Sequence, residues 1–99
     1  NILFSQTPLS IDNVEVIDNV KVYPNPNKGK FEIAFTSSDN QSGVIEIFDV
    51  LGNVVDIKKQ QYKAGFNKVY IDISAYPNSI YIVRLTSEKG SYTTRILKN

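Results

Sequence analysis

The chain contains no cysteine, no histidine and no methionine. Without cysteine there is neither a disulfide framework nor thiolate chemistry, so stability has to come from packing and strand pairing. Without histidine the chain lacks the usual general base near neutral pH and the commonest ligand of transition metals. Serine–histidine and cysteine–histidine nucleophiles are therefore excluded within this chain. Because no initiator methionine is present, we expect the chain to begin inside a longer polypeptide.

Long apolar runs and a large excess of one charge are also missing. No run approaches the ~18–20 apolar residues that a membrane-spanning helix requires, so we expect no stable membrane insertion. The formal net charge is only +1, which predicts no strong attraction to nucleic acid. Residues 1–57 hold 3 basic and 8 acidic residues, whereas residues 58–99 hold 8 basic and 2 acidic residues. Since the halves of a small domain interleave, we interpret this asymmetry as a mixed, solvated surface.

The length of 99 residues suffices for one domain, and the 41% of residues that are hydrophobic can fill one modest core. The tetrapeptide Ile-Asp-Asn-Val occurs twice at a short spacing, at residues 11–14 and 17–20, and residues 1–19 lack the regular alternation seen later. We interpret residues 1–19 as a linker from an upstream domain. Residues 20–99 are then the folded domain.

From Val20 onward, apolar and polar residues alternate in one short segment after another. A period of two with β-branched and aromatic residues is typical of half-buried strands. Phe48 and Val50 break the alternation and predict a bulge or a twist. Tyr92, Thr94 and Ile96 are expected to share one face of the last strand. The residues predicted to fill the core are Phe31, Ile33, Ile47, Val69, Ile71, Tyr81, Val83 and Ile96.

The segments between these strands contain turn residues. Gly52 and Gly90 each stand where a short hairpin needs a positive φ angle. No segment shows apolar residues at helical spacing over a useful length. The spacing of the turns predicts seven strands, and hence an all-β fold: a seven-stranded antiparallel immunoglobulin-like β-sandwich.

Three carboxylates, Glu46, Asp49 and Asp56, lie close together in the sequence around one hairpin. A glycosidase needs two carboxylates that flank a sugar cleft, and a hairpin on a small sandwich offers no obvious cleft. We therefore interpret them as solvated strand residues. Asp49 precedes Gly52 by three residues, so its side chain is expected to accept hydrogen bonds from turn amides. The sequence predicts no catalytic site.

The chain also contains side-chain oxygens that could bind calcium and aromatic rings that could stack on a ligand. Asp12, Asn13, Asp18 and Asn19 lack the ordered spacing of a calcium loop, and we expect no metal or cofactor site. Four tyrosines could stack on a sugar or a base, although tyrosines half-buried beside strand neighbours are the commoner outcome. These tyrosines are Tyr23, Tyr62, Tyr70 and Tyr92.

The motif Tyr23-Pro24-Asn25-Pro26 interrupts the strands in an unusual way. Neither proline can donate a hydrogen bond to a ladder, and a residue that precedes proline prefers extended geometry. Strand pairing is therefore expected to stop at Tyr23. The chain then crosses over as a stiff segment, turns near Gly29 and enters the next strand.

The motifs of about residues 20–99, taken in order, resemble those of a known family. Tyr23-Pro24-Asn25-Pro26 with Gly29 resembles the start of the type A C-terminal sorting domain of the Bacteroidetes type IX (Por) secretion system. Residues 45–55 resemble its central hairpin, an aromatic-Asp-x-x-Gly followed by valines. Residues 73–85 resemble its penultimate strand, and residues 94–99 its basic final strand. One position departs from the family, because Ser79 stands where the family usually has glycine.

The resemblance implies a non-enzymatic secretion signal. Such a domain follows a cargo domain in the same chain and is recognised in the periplasm by type IX machinery, including an outer-membrane translocon and a sortase-like peptidase. It is usually cut off upstream, and the cargo crosses the outer membrane to be released or attached to the cell surface. The residues that carry the recognition motifs are Tyr23, Pro24, Asn25, Pro26, Gly29, Asp49, Gly52, Tyr81, Arg95 and Lys98.

Two interpretations of function remain open at this stage. For the sorting domain, we expect the terminal residues of the final strand to offer an edge to a partner strand, with Arg95 and Lys98 guiding the encounter. The alternative is an accessory β-sandwich module, carbohydrate-binding or fibronectin-like, of a large secreted hydrolase. Strand patterns fit both, since function is determined by sites rather than by folds.

Overall fold

The computed structural model describes residues 17–99, which form seven strands and, within that range, no helix. Tyr23 ends the first strand, as predicted from the two prolines that follow it. The seven predicted strands and the all-β class are confirmed. The strands are β1 (Ile17–Tyr23), β2 (Lys30–Ser37), β3 (Gln41–Phe48), β4 (Val54–Tyr62), β5 (Gly65–Asp72), β6 (Ser79–Ser87) and β7 (Gly90–Lys98).

The strands form two antiparallel sheets packed as an immunoglobulin-like sandwich. One sheet has the order β1-β2-β5 and the other the order β4-β3-β6-β7. β4 pairs with β3 and so belongs to the sheet of β3, β6 and β7, whereas in the constant-type immunoglobulin arrangement the fourth strand lies in the other sheet, beside the fifth. The expected irregularity near Phe48 is present, because the β3–β4 register shifts between Ile47 and Phe48.

The core lies between the inner faces of the two sheets. All eight residues predicted to fill it are buried, with at most 6% of their surface exposed. Complete burial of an aliphatic or aromatic side chain contributes roughly 1.5–3 kcal/mol, so this one layer supplies most of the driving force for folding. The prediction succeeds because period-two alternation directly reports which side chains share a face.

Tyr62, one of the four tyrosines that could stack on a ligand, is fully buried and is not available for stacking. Its ring lies on Gly43, where an added Cβ atom would overlap the ring, and packs edge-on against Phe35 with the ring centroids 4.9 Å apart. The hydroxyl donates to the carbonyl of Thr86 at 3.2 Å. Burial raises the pKa of Tyr62 to about 12. The missing side chain of Gly43 creates the space that the ring fills.

Tyr92 lies on the inward-facing side of β7, as predicted, yet 39% of its surface is exposed. It pairs with the buried Leu85 of β6. β7 is the edge strand of the four-stranded sheet, and the opposing sheet has only three strands. We attribute the exposure to this mismatch, which leaves part of the wider sheet uncovered.

Two local predictions differ from the structure. β1 begins at Ile17, three residues before the predicted start at Val20; Ile17 pairs with Ser37 and is 9% exposed. Most of the predicted linker, residues 1–16, lies outside the described residues. Gly52 has the predicted positive φ angle of 89°, but Gly90 is not among the residues with positive φ. Gly90 instead opens β7, where it pairs with Ser87 across a two-residue turn.

Candidate recognition site

Antiparallel pairing brings four connecting segments together at one end of the sandwich. Tyr23 at the end of β1 pairs with Glu32 near the start of β2, and Phe48 at the end of β3 pairs with Ile82 near the start of β6. β7 ends beside the start of β6. We call this the crossover end; it comprises the crossover (residues 24–29), the β3–β4 turn (residues 49–53), the β5–β6 loop (residues 73–78) and residues 97–99.

The crossover joins the two sheets through Asn27, which is 4% exposed. Its backbone N–H donates to the carbonyl of Leu97 at 2.9 Å, and its carbonyl accepts from the N–H of Asn99 at 2.8 Å. Its side chain donates to the carbonyl of Pro24 at 3.1 Å and accepts from the N–H of Gly29 at 2.8 Å. A buried amide with every group bonded fixes the path of the chain between β1 and β2. Asn27 was not predicted as a site residue.

Asn25 adds a second attachment between the crossover and β7. Its side-chain oxygen accepts from the N–H of Leu97 at 2.9 Å, and its side-chain nitrogen lies 3.5 Å from the carbonyl of Arg95. Both prolines that flank Asn25 follow cis peptide bonds. The side chain of Asn25 thus takes the place of a neighbouring strand at the end of β7.

Gly29 is required by both its conformation and its surroundings. Its φ angle is 113°, and an added Cβ would lie 2.6 Å from the Cα of Ser74 and 2.8 Å from the Cε of Lys98. Its carbonyl accepts from the N–H of Ile73 at 2.7 Å. The crossover, the β5–β6 loop and the end of β7 therefore meet at this glycine, and no side chain fits there.

Lys98 is buried, with 6% of its surface exposed, contrary to its expected role as a surface charge that guides an encounter. Its Nζ donates to the side-chain oxygen of Asn78 at 2.8 Å, and its stem passes over Gly29. The side chain lies on the inward-facing side of β7, two residues beyond Ile96, and the crossover covers it. Arg95, by contrast, points to the outside and is exposed.

The β3–β4 turn is built around Asp49, as predicted. One carboxylate oxygen accepts from the backbone N–H groups of Leu51 and Asn53, both at 2.9 Å, and the other accepts from the side-chain amide of Asn53 at 3.1 Å. The backbone N–H of Asn53 is the main cause that lowers the pKa of Asp49. Gly52 supplies the positive φ, with open space where its Cβ would be.

The β5–β6 loop is held by two tyrosine hydroxyls. Tyr81, which is 2% exposed, donates to the carbonyl of Pro77, and Tyr76 donates to the carbonyl of Val55 at 3.2 Å. Burial raises the pKa of Tyr81, and the nearby charge of Asp49 raises it further. The loop thereby contacts the start of β4, and Ile73 at its beginning bonds to Gly29 of the crossover. Ser79 opens β6 opposite Lys98 without a positive φ angle, so glycine is not needed there.

Residues 21–99 match the family described as "Secretion system C-terminal sorting domain". The chain belongs to this family. No curated protein matches the chain. The family resemblance read from the motifs is thus confirmed, and the domain is a sorting signal of the type IX secretion system. This family is not catalytic, and membership implies interaction with the type IX machinery and a secreted or cell-surface destination.

The sorting domain gathers its recognition motifs at the crossover end, but they differ in accessibility. Gly29, Tyr81 and Lys98 are buried and hold this end together. Tyr23 is 40% exposed on the outer face of the three-stranded sheet, where its hydroxyl donates to Glu32 at 3.2 Å. The other exposed members are Pro24, Asn25, Pro26, Gly52 and Arg95, while Asp49 is partly buried.

Two residues of the sorting domain's crossover end, Asn27 and Asn78, were not identified from the sequence. An asparagine directly after an Asn-Pro pair is a usable signal for Asn27, because its amide can bond both forwards and backwards along the chain. The role of Asn78 depends on a contact with Lys98, twenty residues away, for which the sequence carries no local signal.

Two of the three carboxylates around the β3–β4 hairpin of the sorting domain, Glu46 and Asp49, have structural partners. Glu46 accepts from Arg84 at 2.9 Å, and Asp49 is bonded within its turn. Asp18, which was considered as a calcium ligand, accepts from the backbone N–H of Asn19 at 2.8 Å. Within residues 17–99, no three Asp, Glu, His or Cys residues assemble as a metal site would require. No helix of the described chain is long and apolar enough to cross a membrane.

Proposed function

We propose that this sorting domain directs a cargo domain of the same chain from the periplasm across the outer membrane. The type IX translocon carries the fusion, a sortase-like peptidase cuts it upstream of the sandwich, and the cargo is released or attached to the cell surface. The observation that carries the proposal is the family match over residues 21–99. The close assembly of the family motifs at the crossover end supports it, because separate stretches of sequence form one presentable surface.

We assign different roles to the exposed and the buried motif residues. Pro24, Pro26 and Arg95 present side chains to solvent and are available to a partner, whereas the exposed Asn25 uses its side chain to bond β7. Gly29 and its buried neighbours act indirectly by positioning the crossover against β7. Substitutions in the two groups should therefore have different signatures. Arg95 variants should lose export while keeping stability, whereas Gly29 variants should lose both.

Export of a fusion protein tests the proposal. Residues 1–99 are fused to the C-terminus of a periplasm-targeted fluorescent or enzymatic reporter in a host with a type IX system. We expect the reporter in the medium or on the cell surface. The matched control is the same fusion in a strain without the translocon, where the reporter should accumulate in the periplasm. Periplasmic retention in the competent host, with the domain folded, would contradict the sorting function.

The cleavage step has its own test. Because Ile17 is packed into the sandwich as the first residue of β1, we expect the cut upstream of this residue. Mass spectrometry of the mature reporter identifies the bond. A cut within β1 or beyond, or export of the uncut fusion only, would argue against the proposed processing.

The accessory-module alternative has one observation in its favour. Tyr23 and Tyr70 lie on either side of Glu32 on the outer face of the three-stranded sheet, and Tyr70 is 64% exposed. A groove of about 280 Å³ runs beside them. Two aromatic rings and a carboxylate on a flat sheet can hold a sugar. Affinity electrophoresis of the domain in gels containing polysaccharide tests this, with Tyr70→Ala as the control for retardation.

A further inference from the structure

Sheet edges in the sorting domain differ in how they are protected against the addition of another strand. The edge strands are β1, β5, β4 and β7. β1 contains a register shift, with a positive φ angle of 53° at Asn19, and β4 has a register shift and carries Lys58 and Lys59. β5 carries Lys68 and Asp72. Bulges and charged side chains of this kind are the usual protection of sheet edges.

β7 lacks these features over much of its length. Its pairing with β6 runs without a shift from Ser79 opposite Lys98 to Ser87 opposite Gly90. Ser91, Tyr92, Thr93 and Thr94 include neither a charge nor a proline. In an antiparallel strand, alternate residues direct both backbone groups to the same side. Both backbone groups of Leu97 bond to the crossover, so the groups of residues 91, 93 and 95 also point away from β6.

The crossover closes only the last part of this edge. Asn25 and Asn27 satisfy Leu97, and Asn25 reaches the carbonyl of Arg95 at 3.5 Å. Among residues 17–99, no strand pairs with β7 on this side over residues 91–95. The expectation that the terminal residues form the open edge is therefore wrong. The open segment lies before them, and the crossover forms a stop at its end.

The surroundings of this open edge indicate what fits there. Beside residues 91–95 the outer face of the sheet is mainly polar, with Thr93 opposite Arg84, but where this edge meets the crossover it carries two apolar side chains, Ile80 41% and Leu97 38% exposed. A depression of about 300 Å³ lies where the edge meets the crossover, lined by Asn25, Ile80, Arg95, Ile96 and Leu97. Arg95 forms no ion pair within the described residues, whereas Arg84 and Lys89 are paired with Glu46 and Asp39.

We propose that an extended segment of a type IX machinery protein adds to the sheet beside residues 91–95 of β7, and that the crossover limits where it ends. This inference rests on the proposed function, since it names the recognition mode of the same domain. The segment bonds to the outward backbone groups, places apolar side chains over the outer face near Leu97, and places an acidic residue beside Arg95. Backbone pairing supplies affinity, and alternate side chains supply specificity.

Substitution of Thr93 by proline isolates the backbone contribution. Thr93→Pro removes an N–H that points away from β6 and leaves the β6–β7 ladder intact, a position at which edge strands tolerate proline. The matched control, Thr93→Val, keeps the N–H and the branched shape. We expect reporter export of the proline variant to fall by about tenfold or more, and that of the valine variant to stay within about twofold of the parent. Both variants should keep the parental circular dichroism spectrum and melting temperature.

Amide hydrogen exchange of the unmodified domain, residues 1–99, tests the edge independently of export. The N–H groups of Ser91 and Thr93 should exchange rapidly, while those of Tyr92 and Thr94, which face β6, should be protected. Slow exchange at Thr93 would show that the chain itself covers the edge, and would overturn the proposal. Equal export of Thr93→Pro and the parent would also overturn it while leaving the sorting function intact. Failure of the parent fusion to be exported would instead count against the proposed function.

Discussion

The side chain of Asn25 accepts a hydrogen bond at 2.9 Å from the backbone N–H of Leu97, which lies 72 residues further along the chain. This bond ties the crossover that follows β1 to the end of β7, and hence the three-stranded sheet to the four-stranded sheet. It also takes up a backbone donor that an additional strand could otherwise use. The same asparagine thus supports the fold and limits the open edge.

Asn25→Ala should lower the free energy of unfolding by about 1 kcal/mol, because it leaves the Leu97 N–H without its acceptor. Amide exchange at Leu97 should become faster by the factor that corresponds to this loss of free energy. Asn25→Asp is the matched control, since its carboxylate still accepts from Leu97 and loses only the long contact with Arg95. Urea denaturation and hydrogen exchange provide the measurements. Equal destabilisation by both substitutions would show that the Leu97 bond is not the cause.

Gly29→Ala should be considerably more destabilising than Gly52→Ala. At Gly29 the new Cβ combines an unfavourable φ angle with a contact of 2.6 Å to the backbone of Ser74, and we expect a loss of about 3 kcal/mol or more. At Gly52 only the φ angle is unfavourable, since its Cβ would meet open space, so about 1–2 kcal/mol is expected. Urea midpoints of the two variants make the comparison. Similar losses would mean that the crossover moves away from Ser74 at little cost.

Lys98→Met should fold as stably as the parent to within about 1 kcal/mol, because an unbranched apolar side chain replaces a buried ammonium and its stem. Asn78→Ala should destabilise by about 1 kcal/mol, since it removes the amide oxygen that accepts from Nζ at 2.8 Å. In the double variant the loss of Asn78 should cost less than in the parent background. Additive effects in this double-mutant cycle would show that the two side chains do not interact.

Acidification should weaken the β3–β4 turn through Asp49. Its pKa is held below the ordinary value of 3.8 in the folded state, first by the backbone N–H of Asn53. A depressed folded-state pKa means that the stabilisation is fully present above 3.8 and is lost as the pH falls through the lowered value. Asp49→Asn keeps an acceptor oxygen but no charge, so its stability should vary less with pH below 4. Urea midpoints measured from pH 7 down to pH 2 test this, and parallel curves for the variant and the parent would contradict it.

The sequence by itself determined the strands, the core and the family. Apolar alternation identifies side chains that share a face whatever lies opposite, and Phe31 and Ile33 are buried as this rule predicts. Local turn chemistry is equally readable: the two prolines end β1 at Tyr23, and Asp49 bonds the amides of its own turn. These features depend on interactions between residues close in the chain, which a linear pattern records.

Only the tertiary structure decided which of the motif residues are accessible. The sequence marks Lys98 and Arg95 equally as basic residues of the last strand, yet the crossover covers Lys98 and leaves Arg95 in solvent. It likewise does not reveal that Gly43 makes room for Tyr62, or that Asn25 closes the end of β7. Each of these outcomes depends on contacts between segments far apart in the chain. Their energies are set by the distance and register between the two sheets, which no local pattern of residues encodes.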